Sequence, residues 1–469
     1  MLFSEPLFFV FFAAAFSVYW VTPWNAARKT WLLIGSYYFY GSWDWRFLLL
    51  IFAATLANYL AALLMTDARP QFIRKAALWS SVLFSLGVLG FFKYYNFFVV
   101  SATSSLSWLG IDLGDRTLPI ILPVGISFFT FQAMSYTIDC YRGDLKPVRS
   151  FQDFALFISF FPQLVAGPIV RSSSFLPQLN EKKFLSNVRV RPAIVLFLVG
   201  FIKKVCVADN LAPSADVIFG AAGDYGPFSV WIGVLSYAAQ IYCDFSGYTD
   251  MAIATAALLG YELEINFRWP YLASNIQEFW RRWHISLSTW LRDYLYIPLG
   301  GNKGNSKWLT HRNLMITMLL GGLWHGASWN FVIWGGLHGM ALLMHRMLPG
   351  LSALSGKRIV VILSTLITFY WVCIAWIFFR AATLQDAATL LQSFALLTSE
   401  GTKQIPEASS LAVILAALAV CHWIEFRMQI TGYVSRLPVW AFALFVGFMA
   451  ALSLPFVPTD YRPFVYFQF

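Results

Sequence analysis

A histidine lies in the middle of an apolar stretch rich in glycine and tryptophan, residues 321–330. An ionisable side chain is costly inside a membrane, so its presence there indicates a function. Neutral imidazole can take a proton from an attacking hydroxyl near physiological pH, and we therefore predict that His325 is a general base. Gly321, Gly322 and Gly326 would let a substrate or a backbone segment approach closely. The alternative is that His325 packs and donates one hydrogen bond to a neighbouring carbonyl.

A second histidine follows a basic, aromatic stretch upstream. Arg281 and Arg282 have the fixed guanidinium geometry that suits the phosphates of a nucleotide-bearing donor, with Trp280 beside them. A continuous helix would place Trp280, His284 and Ser288 on one face. We predict His284 as a second catalytic residue and Trp280, Arg281 and Arg282 as donor-binding residues. The alternative is a positively charged anchor for lipid headgroups.

Three aspartates also lie in apolar surroundings, at Asp139, Asp244 and Asp250. An unpaired aspartate in the middle of a membrane costs about 2.5–3.5 kcal/mol on insertion scales, so we expect each to have a structural partner. Residues 245–248, between the last two, read as a helix break.

Several other kinds of site leave no trace in the sequence. Nucleophile-elbow, phosphate-loop, dinucleotide-binding and zinc-protease patterns are missing, and so is any pair of closely spaced cysteines. The five cysteines are odd in number and read as packing residues. We predict no metal site and no permanently bound cofactor.

The composition indicates the elements that position these residues. The chain of 469 residues is 59% hydrophobic and only 12% charged, about half the charged fraction typical of a soluble protein. The net charge is +10, and the basic residues lie mostly in short loops between apolar segments. This distribution is typical of loops on the cytoplasmic face of a membrane and argues against nucleic-acid binding. We predict an all-α, polytopic membrane bundle in contact with lipid, with about 11–12 spans.

Candidate spans are residues 3–22, 30–41, 46–65, 76–100, 118–140, 192–208, 228–243, 313–323, 327–345, 359–379, 409–424 and 437–456. Basic connections alternate with connections poor in Lys and Arg, which places both termini outside. Residues 151–168 have basic loops on both sides and are predicted to be re-entrant, with a break at Gly167 and Pro168. Residues 171–191 are predicted as a surface helix or loop. The whole of 1–469 is expected to be one domain, with an interfacial or re-entrant segment at 261–312 and an aromatic tail at 458–469.

Five stretches in order resemble the membrane-bound O-acyltransferase (MBOAT) superfamily, and within it the bacterial alginate O-acetyltransferase type. They are FPQLVAGPI (161–169), YCDFSGYTDMA (242–252), FWRRWHISLS (279–288), WLRDYLYIPLGG (290–301) and GLWHGASW (322–329). The resemblance implies that His325 is the central catalytic histidine and that His284 is the second polar position of a tunnel. It also implies acetyl-CoA as donor substrate, a polysaccharide as final acceptor, and a periplasmic SGNH-type acetyltransferase partner. The location would be the bacterial inner membrane.

The last six residues resemble the aromatic tail of this subgroup. We hypothesise that the tail folds back and that the Tyr466 hydroxyl carries acetyl between His325 and the partner, because aryl esters are reactive acyl donors. The alternative is an aromatic anchor at the membrane interface.

Two further alternatives concern the function itself. The acceptor could instead be peptidoglycan, teichoic acid or cellulose, in a system with a similar membrane component. From another class, a transporter would also have broken helices and intramembrane aspartates, but no inverted repeat is visible in the sequence.

Overall fold

Helices dominate the computed structural model, which describes residues 1–303, 306–347, 358–399, 401–457 and 462–465. Within these residues the only β-type pairing is an isolated bridge between Tyr225 and Lys403. The predicted all-α class is therefore confirmed. The chain divides into an N-terminal unit, Met1–Ala193 with Ala252–Glu264, and a C-terminal unit, Ile194–Met251 with Ile265–Phe469.

The first helices of the chain, all in the N-terminal unit, include helices that overlap the first five predicted spans, with ends that differ by several residues. They are α1 (Pro6–Val21), α2 (Asn25–Gly41), α3 (Phe47–Leu63), α4 (Gln71–Leu89), α5 (Tyr95–Trp108), α6 (Ile126–Arg142), α7 (Phe151–Ser159), α8 (Phe161–Leu164) and α9 (Ser172–Asn180). The surface element predicted over 171–191 corresponds to α9 and a short 3₁₀ turn, Leu185–Asn187.

Helices α7 and α8 form the segment that was predicted to be re-entrant. Nearly all of its residues are buried within the N-terminal unit. The chain breaks first at Phe160, seven residues before the predicted break at Gly167. Pro162 explains the difference, because it has no N–H to continue the hydrogen-bond ladder of α7 and is favoured in the first turn of a new helix.

The remaining helices carry the candidate site. They are α10 (Val190–Phe201), α11 (Asp209–Gly220), α12 (Pro227–Leu258), α13 (Ile276–Arg282), α14 (Ile285–Leu291), α15 (Lys307–His325), α16 (Trp329–Met347), α17 (Arg358–Arg380), α18 (Leu384–Leu396), α19 (Ala408–Met428), α20 (Ile430–Val434) and α21 (Val439–Ser453). A π-helical segment, Ile202–Ala208, joins α10 to α11, and another, Arg292–Tyr296, follows α14.

Helix α12 runs unbroken through residues 245–248, so the predicted break there is wrong. Gly247 serves close packing instead. A Cβ at Gly247 would lie 2.6 Å from the carbonyl oxygen of Gly200 on α10, so the two backbones are in direct contact. Small residues commonly allow such close approach between membrane helices.

Four helical stretches of the described chain are long and apolar enough to cross a bilayer: Gln71–Trp108, Arg358–Arg380, Ala408–Met428 and Val439–Phe456. Two shorter apolar helices, Pro6–Val21 and Phe47–Leu63, also match predicted spans. These stretches make the chain a multi-pass membrane protein. The total of about 11–12 spans and their orientation stay predictions.

Candidate active site

His325 is the last residue of α15 and is only 3% exposed. Its ring packs against the rings of Trp334 on α16 and Phe379 on α17, with centroid separations of 4.9 and 5.3 Å. Aromatic walls of this kind fix the orientation of an imidazole and keep bulk water away from it. The structure therefore places the predicted general base in an enclosed apolar setting.

The glycines around His325 bring α15 and α16 together. A Cβ at Gly322 would lie 2.2 Å from the carbonyl oxygen of Phe331, and one at Gly335 would lie 2.2 Å from that of Met318. At Gly326 a Cβ would overlap the Phe331 ring, at 2.0 Å. The predicted approach of backbone is confirmed at Gly322, whereas Gly321 and Gly326 make room for the side chains of Leu291 and Phe331.

The close contact between α15 and α16 at Gly335 predicts an effect on stability, and Gly336, the next residue, provides a matched control. Gly335→Ala should destabilise the protein by about 1–3 kcal/mol because the new methyl group overpacks the helix pair. At Gly336 a Cβ would meet only the Leu319 side chain at an ordinary 3.5 Å, so Gly336→Ala should be neutral or stabilise by up to about 1 kcal/mol through helix propensity. Thermal unfolding in detergent compares the two variants. Equal melting temperatures would contradict the packing interpretation.

His284 lies between α13 and α14 and is completely buried. Its backbone is left-handed, with φ 44° and ψ 56°. This conformation costs an L-residue about 1–2 kcal/mol, and such strain is often found at functional sites. The prediction of one continuous helix with Trp280, His284 and Ser288 on one face is therefore wrong. The helix ends at Arg282, and a new helix begins at Ile285 after the left-handed His284.

Asn266 holds this break in place, and sequence reasoning missed it. Its side-chain oxygen lies 3.2 Å from His284 Nδ1 and accepts hydrogen bonds from the Ser286 N–H and hydroxyl, at 3.2 and 2.9 Å. Its backbone carbonyl accepts from the Ile285 N–H at 2.9 Å. If Nδ1–H donates to Asn266, the proton-accepting lone pair of His284 is on Nε2. The sequence around Asn266 gave no signal of this role, because Glu262, Glu264 and Arg268 make the segment look like an ordinary polar connection.

The structure brings the two predicted histidines together. Their ring centroids are 6.3 Å apart, and the Trp324 ring is 5.9 Å from His284. Phe245 on α12 contacts His284 edge-on at 4.7 Å. Two imidazoles so close, in an apolar surrounding, have the separation needed to act on neighbouring atoms of one substrate.

The predicted donor-binding residues occupy different environments. Arg281 is exposed. Arg282 forms an ion pair with Glu278 and donates to the Trp269 carbonyl at 3.3 Å. Burial raises the pKa of the Glu278 carboxyl, but hydrogen bonds from Ser274 and the charge of Arg282 outweigh it and leave this pKa below its usual value. Of the two guanidinium groups, Arg281 is therefore the one more accessible to a phosphate.

A group of buried nitrogens lies beside His325. His338 packs between Trp280 and Trp334, at centroid separations of 5.1 and 4.7 Å. Both of its ring nitrogens and the indole N–H groups of the two tryptophans lack a hydrogen-bond partner in the described part of the chain. A buried polar group left unpaired costs about 1–3 kcal/mol. His338 and the two tryptophans therefore offer polar atoms that a ligand carbonyl or amide can satisfy.

The C-terminal tail is described only at residues 462–465, and Tyr466 lies outside the described residues. Phe464 and Val465 are 1% and 4% exposed. The Phe464 ring lies 5.7 Å from Phe245 and 5.1 Å from Tyr248. Since Phe245 also contacts His284, this part of the tail reaches the surroundings of the histidine pair.

The expected structural partners of Asp244 and Asp250 are found. Asp250 pairs with Lys203 at 2.7 Å, and Asp244 pairs with Lys204 at 2.7 Å, as expected for buried carboxylates. Among the described residues, no group of three or more His, Cys, Asp or Glu side chains is placed to hold a metal ion.

Residues 145–384 match the model of the membrane-bound O-acyltransferase family, a segment that contains both candidate histidines. The chain is 43% identical to the probable alginate O-acetylase of Pseudomonas aeruginosa, over 87% of this chain and 76% of the relative. It is 40% identical to the peptidoglycan O-acetyltransferase of Helicobacter pylori, over 84% and 79%. It is 38% identical to the probable alginate O-acetylase of Pseudomonas putida over 100% of both chains. The chain thus belongs to the membrane-bound O-acyltransferase family and is a multi-pass membrane O-acyltransferase.

Proposed function

We propose that this protein takes acetyl from cytoplasmic acetyl-CoA and passes it across the bacterial inner membrane for O-acetylation of an extracytoplasmic polysaccharide resembling alginate. The observation that carries the proposal is the His284–His325 pair, with ring centroids 6.3 Å apart inside an aromatic enclosure. The similarity to two alginate O-acetylases supports the polysaccharide acceptor. The similarity to a peptidoglycan O-acetyltransferase supports the choice of acetyl and keeps peptidoglycan as the second candidate acceptor.

The donor is acetyl-CoA, a substrate that binds from the cytoplasm. Arg281 attracts its phosphates at the protein surface. The amide groups of its long arm, and the thioester carbonyl, meet the unpaired nitrogens of Trp280, Trp334 and His338. The thioester then lies beside His325, where the apolar walls suppress hydrolysis.

Two acyl transfers complete the reaction. His325 takes the proton from the Tyr466 hydroxyl as the phenol oxygen attacks the thioester carbonyl. The C–S bond breaks, the thiolate of CoA receives the proton from the imidazole, and acetyl is left on the phenol as an aryl ester. A hydroxyl of a periplasmic SGNH-type partner, or of the glycan, then attacks this ester, and its proton returns to Tyr466. His284, whose proton-accepting lone pair is on Nε2 when Nδ1–H donates to Asn266, takes the proton of the attacking hydroxyl in the second transfer and passes it to Tyr466.

A double-labelled donor tests the function and separates it from transport. Proteoliposomes are loaded with polysaccharide and partner, and acetyl-CoA labelled separately in acetyl and in CoA is added outside. We expect acetyl label on the enclosed polysaccharide and CoA label only outside. Both labels inside would indicate a transporter, and acetyl label on an enclosed peptidoglycan fragment instead of alginate would favour the second acceptor.

The role of Arg281 makes a kinetic prediction. Arg281→Gln should raise the KM for acetyl-CoA about tenfold with little change in kcat, since a hydrogen bond to a charged group contributes about 1.5–3 kcal/mol before solvent screening reduces it. Arg281→Lys should keep part of the effect because the charge remains. Lys182→Gln, another exposed basic residue, is the control. An unchanged KM in Arg281→Gln would exclude this residue from donor binding.

A further inference from the structure

A buried ionic cluster holds the C-terminal tail in the C-terminal unit. Lys204, at 2.7 Å from both Asp244 and Asp209, is the centre of the cluster, which we call the tail clamp. The second oxygen of Asp244 accepts a hydrogen bond from the Val465 N–H at 2.7 Å. The Lys204 ammonium also donates to the Arg462 carbonyl at 3.5 Å.

A second contact fixes the start of the same segment. Asp216 on α11 receives the Arg462 guanidinium at 3.0 Å and the Arg380 guanidinium at 2.9 Å. Asp216 therefore binds the tail at Arg462, and Asp244 binds it three residues later at Val465. A segment held at both ends has one register relative to α12.

A segment that served only to anchor the tail would not need buried charges. The side chains of Lys204 and Asp244 are 5% and 1% exposed, and burying such charges costs several kcal/mol per ion. The Phe464 ring, packed on Phe245 and Tyr248, would hold the tail by apolar contact alone. Apolar contact does not specify register, whereas a charge-assisted bond to one peptide N–H does.

The register of the tail matters because the segment that Asp244 binds lies close in sequence to Tyr466 and close in space to the histidine pair. Asp244 binds the peptide group of Val465, the residue directly before Tyr466 in the sequence. Asp244 is also adjacent in sequence to Phe245, whose ring contacts His284 at 4.7 Å. The lysine of the clamp comes from the π-helical segment Ile202–Ala208. Single π-helical turns occur frequently at functional sites.

We propose that Asp244, oriented by Lys204, is a positioning residue for acetyl transfer, because it sets the register of the described tail residues that directly precede Tyr466 in the sequence. The inference rests on the proposed function, in which Tyr466 carries acetyl. It adds that the relay depends on a carboxylate that touches neither the donor nor the acceptor.

Replacing Asp244 should separate transfer from donor binding. In Asp244→Ala we expect kcat for acetyl transfer to fall about 100-fold, the effect of losing a charge-assisted hydrogen bond. The KM for acetyl-CoA should stay within twofold of wild type. Asp244→Asn should fall about tenfold, because its amide oxygen still accepts from the Val465 N–H but no longer pairs with Lys204.

The neighbouring ion pair provides the control. Asp250 on α12 pairs with Lys203 at 2.7 Å, one residue from Lys204, and no contact of this pair with the described tail residues is found. Asp250→Asn removes a comparable charge and should keep kcat within twofold. If Asp250→Asn lost as much activity as Asp244→Asn, a general electrostatic role would replace the positioning role.

A double variant covers the risk that an unpaired lysine unfolds the protein. Asp244→Ala with Lys204→Met removes both of these charges, and Asp209, which also pairs with Lys204, can then take up a proton and be buried neutral. Abundance and melting temperature should therefore recover relative to Asp244→Ala while kcat stays low. Carboxypeptidase should release the last residues faster from this variant than from wild type. A double variant that transfers acetyl at the wild-type rate, with the tail equally protected, would overturn the clamp.

The same series distinguishes the two proposals. If Tyr466→Phe is inactive and the double variant is active, the clamp fails and the relay stands. If Tyr466→Phe is fully active, the relay fails, and with it the reason for the clamp.

Discussion

His325→Ala is expected to lower acetyl transfer by about 10²–10⁴-fold, the usual contribution of a general base. The imidazole is the ionisable group at the end of α15, enclosed by Trp334 and Phe379, so water cannot readily replace it as a base. The fold should survive, because the truncated side chain leaves the Gly322–Gly335 backbone contact intact. Transfer from labelled acetyl-CoA to polysaccharide, at matched protein abundance, measures the effect.

His311, on the same helix, is the matched control, and His311→Ala should transfer acetyl at the wild-type rate. His325→Gln tests the chemistry further, since an amide can hydrogen-bond but cannot take up a proton at neutral pH. His325→Gln should be as inactive as His325→Ala. Full activity in either His325 variant would remove this residue from the reaction and would support its alternative role in packing.

Tyr466→Phe is expected to reduce acetylation of the polysaccharide to background. The substitution keeps the ring and removes only the hydroxyl that is proposed to carry acetyl. The described part of the tail approaches the histidine pair, because Phe464 lies 5.7 Å from Phe245 and Phe245 lies 4.7 Å from His284. In the wild type, rapid quenching and mass spectrometry of the C-terminal peptide should detect one added acetyl group at Tyr466.

Tyr433, exposed on α20, provides the comparison. Tyr433→Phe should acetylate the polysaccharide normally, and its tail peptide should still carry the label. If Tyr466→Phe transfers acetyl as fast as wild type, the acceptor hydroxyl reaches the thioester directly and the tail is an aromatic anchor.

The helical class and the choice of the two histidines as candidates could be anticipated from sequence, because apolar length and the local surroundings of a polar residue are local signals. Their proximity, with ring centroids 6.3 Å apart, could not, because it depends on tertiary packing. The break at His284 could not, since Trp283 and Ile285 give no turn signal and the left-handed backbone depends on Asn266. The opposite error occurred at Gly247, which read as a break. Its missing side chain instead permits contact with Gly200, and that partner is 47 residues away in the chain. In both places tertiary contacts override local preference.

The backbone contact between α15 and α16 has a consequence for turnover. The backbones of these two helices are in direct contact at Gly322 and Gly335, so the helices should move as one rigid body that carries His325 and Trp334 together. The gap that admits a donor or releases a product has to open elsewhere around the histidines.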